Sequence, residues 1–136
     1  MAGMAAKVVE QYFLAEGTHP ELLRDDLLRT GWSFEGGSID IFFHFDESDS
    51  HVHVEGVNFI KVPESKYDAM YKVLNECNDQ YTHVKFVLDT ENGQLNARDD
   101  DVIQLDSCGP ECYELMLRMV KVVEAAFPSF MKAMWA

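Results

Sequence analysis

The chain has 136 residues, 47% of them hydrophobic, and carries 24 acidic against 11 basic side chains for a formal net charge of -13. That length suits a single domain over residues 1–136, and the apolar fraction is enough for a core, which argues against a disordered chain. The charge argues against nucleic acid and anionic membrane as partners, because both are bound through clustered Lys and Arg.

The acidity leaves two readings, solubility alone or complementarity to a basic protein, peptide or cation. No segment approaches the roughly 20 apolar residues that span a bilayer. Met1-Ala2-Gly3-Met4-Ala5-Ala6 lacks a cationic start followed by an apolar run, so no secretory signal is expected, and Gly3 stands one position too late for myristoylation. Three cysteines, an odd number in a chain able to build its own core, point to reduced thiols and a cytoplasmic protein.

In chain order, Val8, Val9, Tyr12 and Phe13 predict a first helix from Ala5 to Glu16, ended by Gly17. Thr18 with Glu21 reads as a capping box, Pro20 suits a first turn, and Leu22, Leu23, Leu27 and Leu28 give a buried stripe, so a second, short helix is expected before Gly31. The period then changes to two. Trp32-Ser33-Phe34 predicts a strand, Gly36-Gly37 a turn, Ser38 to Phe45 a second strand, Asp46 to Ser50 a polar turn, and His51 to Ile60 a third strand, together an antiparallel meander. Tyr67, Met70, Tyr71, Val73, Leu74 and Cys77 predict a helix from Glu64 to Tyr81. Val84, Phe86 and Leu88 alternate before Asn92-Gly93, and Leu95 and Ala97 resume the alternation. This is a hairpin, with a type I′ turn or a slightly longer loop. Three adjacent carboxylates, Asp99, Asp100 and Asp101, cannot all pack in a sheet core, so an edge, a bulge or a strand end is expected there. The last helix starts near Ser107 or Gly109-Pro110, and Pro128 should kink or restart it. The order α-α-β-β-β-α-β-β-α implies an α+β fold, a five-stranded antiparallel sheet with helices packed on one face.

Few residues invite chemistry. His51 and His53 share one strand face, and His44 on the preceding strand can join them as imidazole ligands; a solvent-facing pair alternating with Val52 and Val54 explains the same pattern. A metal- or small-ligand-binding sensor using His44, His51 and His53 is therefore the alternative function, and no metal or other cofactor is assigned. Cys108 and Cys112 lie at a helix start, where the dipole lowers a thiol pKa, but C-x-x-x-C is not the thioredoxin spacing. The carboxylates of Asp46, Glu47, Asp49 and Asp99 to Asp101 lack the EF-hand pattern and any apolar pocket that would split their pKa values. No nucleophile elbow, phosphate-binding glycine loop or zinc-protease motif occurs, so no catalytic residue is assigned and no enzyme is expected. Met119, Phe127, Phe130, Met131, Met134 and Trp135 crowd the last helix and tail. Met and aromatic residues adapt well at binding surfaces, so these six form the candidate protein-binding site.

Leu74-Asn75-Glu76-Cys77-Asn78, then Val84-Lys85-Phe86-Val87-Leu88-Asp89 with the Asn92-Gly93 hairpin, and the helix from Glu111 to Phe127 with Pro128 resemble the YbjN family, named for sensory transduction regulators of bacteria. The resemblance covers nearly the whole chain through diffuse, structural motifs, and the three adjacent Asp residues depart from it. It implies the fold of type III secretion chaperones, small acidic proteins that often form homodimers and bind extended segments of client proteins. A non-enzymatic protein-binding module, chaperone-like or regulatory, is therefore the expected function, with a protein or peptide partner.

Overall fold

A computed structural model describes residues 3–135; Met1, Ala2 and Ala136 lie outside them, so the part of the amino-terminal reading that rests on Met1 and Ala2 does too. The first helix, α1 (Met4–Ala15), buries Ala5, Ala6, Val9 and Phe13 on one stripe. Its first turn is capped from a distance. The Ala5 N–H donates to Asp49 Oδ1 at 3.2 Å, and Asp49 is itself buried with φ 55° in a turn between two strands. At the other end Gly17 (φ 89°) donates to the Leu14 carbonyl and Thr18 to that of Phe13, a Schellman closure.

Thr18 also spends its hydroxyl on the Phe13 carbonyl, at 2.7 Å. The hydroxyl that was to open a second helix instead closes the first. The expected helix after Thr18 is a hairpin, β1 (Glu21–Arg24) and β2 (Leu27–Phe34), turning at Asp25-Asp26. Leu22, Leu23, Leu27 and Leu28 fit a helical stripe and a folded pair of strands equally well. Tertiary pairing decides, because β2 pairs along its whole length with β3 (Gly37–Phe45). The sheet thus has six strands rather than five, and the order is α-β-β-β-β-α-β-β-α.

The remaining elements are β4 (His51–Val57), a 3-10 turn at Glu64–Lys66 leading into α2 (Tyr67–Gln80), β5 (Lys85–Asp89), β6 (Gln94–Val102) and α3 (Cys108–Trp135). All strand pairs are antiparallel, in the order β1-β2-β3-β4-β6-β5. The loop between β5 and β6 is longer than a type I′ turn: Gly93 alone is left-handed there, and its N–H closes onto the Asp89 carbonyl at 2.8 Å. Leu28, Ile41, Phe43, Val54, Phe86 and Leu95 alternate into one face of the sheet, and the three helices complete the core over that face. Gly56 marks the closest approach: a Cβ there would lie 2.5 Å from Ile39 Cδ1 and 2.9 Å from Met119 Sδ.

Pro128 does not restart the last helix, and the aspartate run lies at a sheet edge as expected. α3 runs through Pro128, which is exposed, so the hydrogen bond the proline removes lies on the side open to water. The three aspartates do not interrupt β6. Their register against β4 is regular, with Asp99 opposite Val54 and Asp101 opposite Val52. β5 pairs only as far as Arg98, so this half of β6 does lie at an edge. Asp99 faces the core because Arg118 of α3 meets it, Nη2 lying 2.8 Å from Asp99 Oδ2 and 3.1 Å from Asp101 Oδ2. Burial pushes the Asp99 carboxyl pKa up despite that partner.

Candidate functional site on the helix-free face of the sheet

Strand register converts the sequence into cross-strand rows on the face that no helix covers. One row runs Arg29, Phe42, Glu55, Arg98 and Lys85 across five strands. The next runs Leu27, His44, His53 and Asp100. Beyond it His51 pairs with Val102 at the strand ends. Alternation requires this: each residue between two buried ones on β3 and β4 must point outward.

Most charges on this face are matched in place, while the Lys85 ammonium donates to the Asn78 and Tyr81 carbonyls. Arg29 Nη2 lies 2.6 Å from Asp40 Oδ1, and Arg98 Nε lies 3.3 Å from Glu55 Oε2. His53 bonds through Nδ1 to the Asp100 carboxylate, while its Nε2 stands 3.8 Å from Glu55 Oε2. Half-buried Phe42 sits among these pairs. The chain's acidic excess is therefore carried elsewhere, and the face itself is amphipathic and close to neutral.

An open groove of about 610 Å³ lies at one end of the face, lined by His44, Asp46, His51, His53, Asp100 and Val102 among others. The three sequence-predicted histidines thus meet on one surface. His44 and His53 are direct cross-strand neighbours with ring centroids 5.7 Å apart. Burial, then the neighbouring His53, lower the His44 pKa. His51 is held apart from them by the turn: its Nδ1 lies 3.0 Å from Asp46 Oδ2 and 3.0 Å from Ser50 Oγ. Asp46 also accepts from the Ser48 hydroxyl, at 2.7 Å, and from the backbone N–H groups of Ser50 and His51. These bonds, Ser48 foremost, hold its carboxyl well below the usual carboxylate range. As the side chains lie, no three His, Cys, Asp or Glu among the described residues are gathered to hold a metal ion.

The terminal-helix residues are placed differently from a surface patch. Met119 and Phe130 are fully buried, Met119 over Gly56 and Phe130 edge-on to Phe86 at 4.8 Å, so neither presents a surface. Phe127 packs edge-on to Phe34, Met131 and Met134 are half-buried against the core, and Trp135 alone stands free, 80% exposed. All three cysteines are buried free thiols. The helix start does not activate Cys108 or Cys112, since burial raises both pKa values and the Cys108 thiol points at the Leu105 and Ala5 carbonyls. Phe42, Glu55, Arg98 and Asp100 escaped sequence reading as a group because only the register brings them into adjacent rows.

A six-stranded antiparallel sheet with three helices on one face and the other face bare makes this an α+β domain. Two solved structures share the fold. YbjN from E. coli, described as "a putative transcription regulator", matches with a TM-score of 0.66 at 13% identity, over 91% of this chain and 92% of that one. A chain of the ExsC–ExsE complex matches with a TM-score of 0.58 at 11% identity, over 92% and 94%. No curated protein sequence matches. The chain belongs to the YbjN family, "Putative bacterial sensory transduction regulator", whose model matches residues 5–121.

Proposed function

We propose that this chain is a non-enzymatic protein-binding module, chaperone-like or regulatory, whose helix-free sheet face seats an extended segment of a basic partner protein. The observation that carries this reading is the bare face itself, a broad, amphipathic surface of self-neutralised ion pairs around Phe42. The similarity in fold to a chain of the ExsC–ExsE complex supports a protein as the occupant. Charge supports a basic one: a net charge of -13 spread around a nearly neutral seat speeds encounter with a cationic chain, while Phe42, His44 and the alternating strands supply contact. The raised cysteine pKa values support a role without thiol chemistry. A second surface rests on Trp135, whose exposed ring with Phe127, Met131 and Met134 behind it continues the candidate tail site.

Affinity capture from a native lysate with wild type, Phe42→Ser and Trp135→Ser tests both surfaces, with circular dichroism confirming that each variant folds. Truncation before Pro128 is unsuitable because it removes Phe130 from the core. Loss of captured protein with Phe42→Ser supports the sheet face, and loss with Trp135→Ser supports the tail. Identical capture by all three proteins contradicts both.

A further inference from the structure

We infer that Asn96 recognises the main chain of the bound segment, its side-chain carboxamide pairing with the N–H and C=O of one residue of an extended peptide. The inference rests on the protein-binding reading of the bare sheet face and adds to it a group that contacts the segment's backbone.

Asn96 lies on β6 between Leu95 and Ala97, which point into the core, so its side chain stands on the helix-free side of the sheet. Its row there holds Asp40, Val57 and Val87. Asp40 pairs with Val57, Asn96 pairs with Val87, and Val57 follows the Gly56–Ala97 pair. Phe42 is two residues on from Asp40 along β3, so this row lies beside that of Phe42. Asn96 is 7% exposed, and its Oδ1 is shut away from water with no donor. Among the described residues one other buried side-chain polar atom shares that state, Arg118 Nε, and Arg118 is already engaged with Asp99 and Asp101. A buried carbonyl without a donor lowers the stability of the folded chain. Between Val57 and Val87 an aliphatic side chain would serve the fold better, so the amide points to a partner from outside the chain.

The fold already shows what such a group does with an extended strand. Asn78 accepts the Phe86 N–H at 2.7 Å and donates to the Phe86 carbonyl at 3.1 Å. Asn96 carries the same carboxamide, and a half-turn about Cβ–Cγ exchanges its oxygen and nitrogen without breaking any bond to Oδ1. Gly31 pairs with Asp40 at the far end of the row, and a Cβ there would meet nothing nearer than Asp40 Oδ1, at 3.9 Å, so no side chain crowds that end. Main-chain recognition requires no particular side chain on the partner. It fits an occupant selected for its extended form and for the positive charge that a net charge of -13 attracts.

The probe is a short fluorescein-labelled peptide of alternating Lys and Val, titrated by fluorescence anisotropy into the full chain as wild type, Asn96→Leu and Phe42→Ser. Asn96→Leu should bind it about 3- to 10-fold more weakly than wild type, the loss expected for neutral hydrogen bonds. The same substitution should raise the melting temperature by about 4 °C, because it removes the unpaired carbonyl. Asn96→Val repeats both measurements if Asn96→Leu does not fold. Equal affinity of wild type and Asn96→Leu, with Phe42→Ser still weakened, overturns the proposal and leaves the bare-face reading standing. No binding to the folded wild type, or binding that neither substitution changes, overturns both. A melting temperature lowered by the leucine and the valine variant alike also overturns the proposal, because it makes the amide a requirement of the fold.

Discussion

Asp99 sits on the inner face of β6 at 3% exposure, a position an isolated carboxylate could not hold. Arg118, itself part-exposed, reaches it and Asp101 with one nitrogen and so fixes where α3 lies along the sheet. Replacing Arg118 with Met should cost about 3 kcal/mol in a urea titration, because it leaves a buried carboxylate without its cation; Arg118→Met with Asp99→Leu should recover most of that loss. A second consequence at this scale concerns the thiols. Burial raises Cys112 far above the value near pH 9 of a free thiol, so the native state keeps a proton that the unfolded chain releases. The unfolded state then binds fewer protons above pH 9, and stability falls as pH rises through that value, with no effect below it. Thermal melts between pH 8 and 10.5 should show that decline, and Cys112→Ala should make it shallower without abolishing it, because burial raises the Cys77 and Cys108 thiols as well. For the same reason Cys108 and Cys112 should resist alkylation at pH 8 until denaturant is added.

At the scale of elements, one helix terminus and one sheet edge are each closed by a distant side chain. Asp49 caps α1 from the β3–β4 turn, and Asp49→Ala should lower stability by about 1 kcal/mol, read as a shift in denaturation midpoint. Asn78 of α2 treats β5 as a neighbouring strand would: it accepts the Phe86 N–H at 2.7 Å and donates to the Phe86 carbonyl at 3.1 Å. That occupies the outer edge of the sheet. Asn78→Ala should cost about 1–3 kcal/mol and promote association visible by light scattering, since it bares an edge strand. Sequence made the strongly periodic elements legible. α1, α2, α3, the meander strands and the β5–β6 hairpin stand within a few residues of their expected places. The failure at Thr18 to Gly31 has a local cause, since a leucine pattern compatible with both periods was resolved by pairing to a strand ten or more residues away. The histidines could be placed on one face by alternation. Which residues neighbour them could not, because Asp100 meets His53 only through the β4–β6 register, and no local pattern encodes that β6 inserts between β4 and β5.

For the whole molecule, the division of labour between the two sheet faces is the central point. The inner face is closed by three helices, and α3 is anchored in it at Met119 and Phe130, so two of the six terminal-helix candidates serve the core. The outer face keeps most of its charges paired and its aromatic residue half-exposed, while no helix among the described residues is long and apolar enough to cross a membrane. The acidic remainder of the surface should make partner association fall with rising salt, a rate effect measurable by stopped flow once the partner is in hand. The most direct measurement is site-specific photo-crosslinking with a benzophenone side chain in place of Phe42, compared with the same group at exposed Leu117 on α3. A discrete protein adduct from position 42 and none from position 117 is the expected result. Adducts from position 117 alone, or none from position 42 in a folded protein, would contradict the assignment of the bare sheet face as the binding surface.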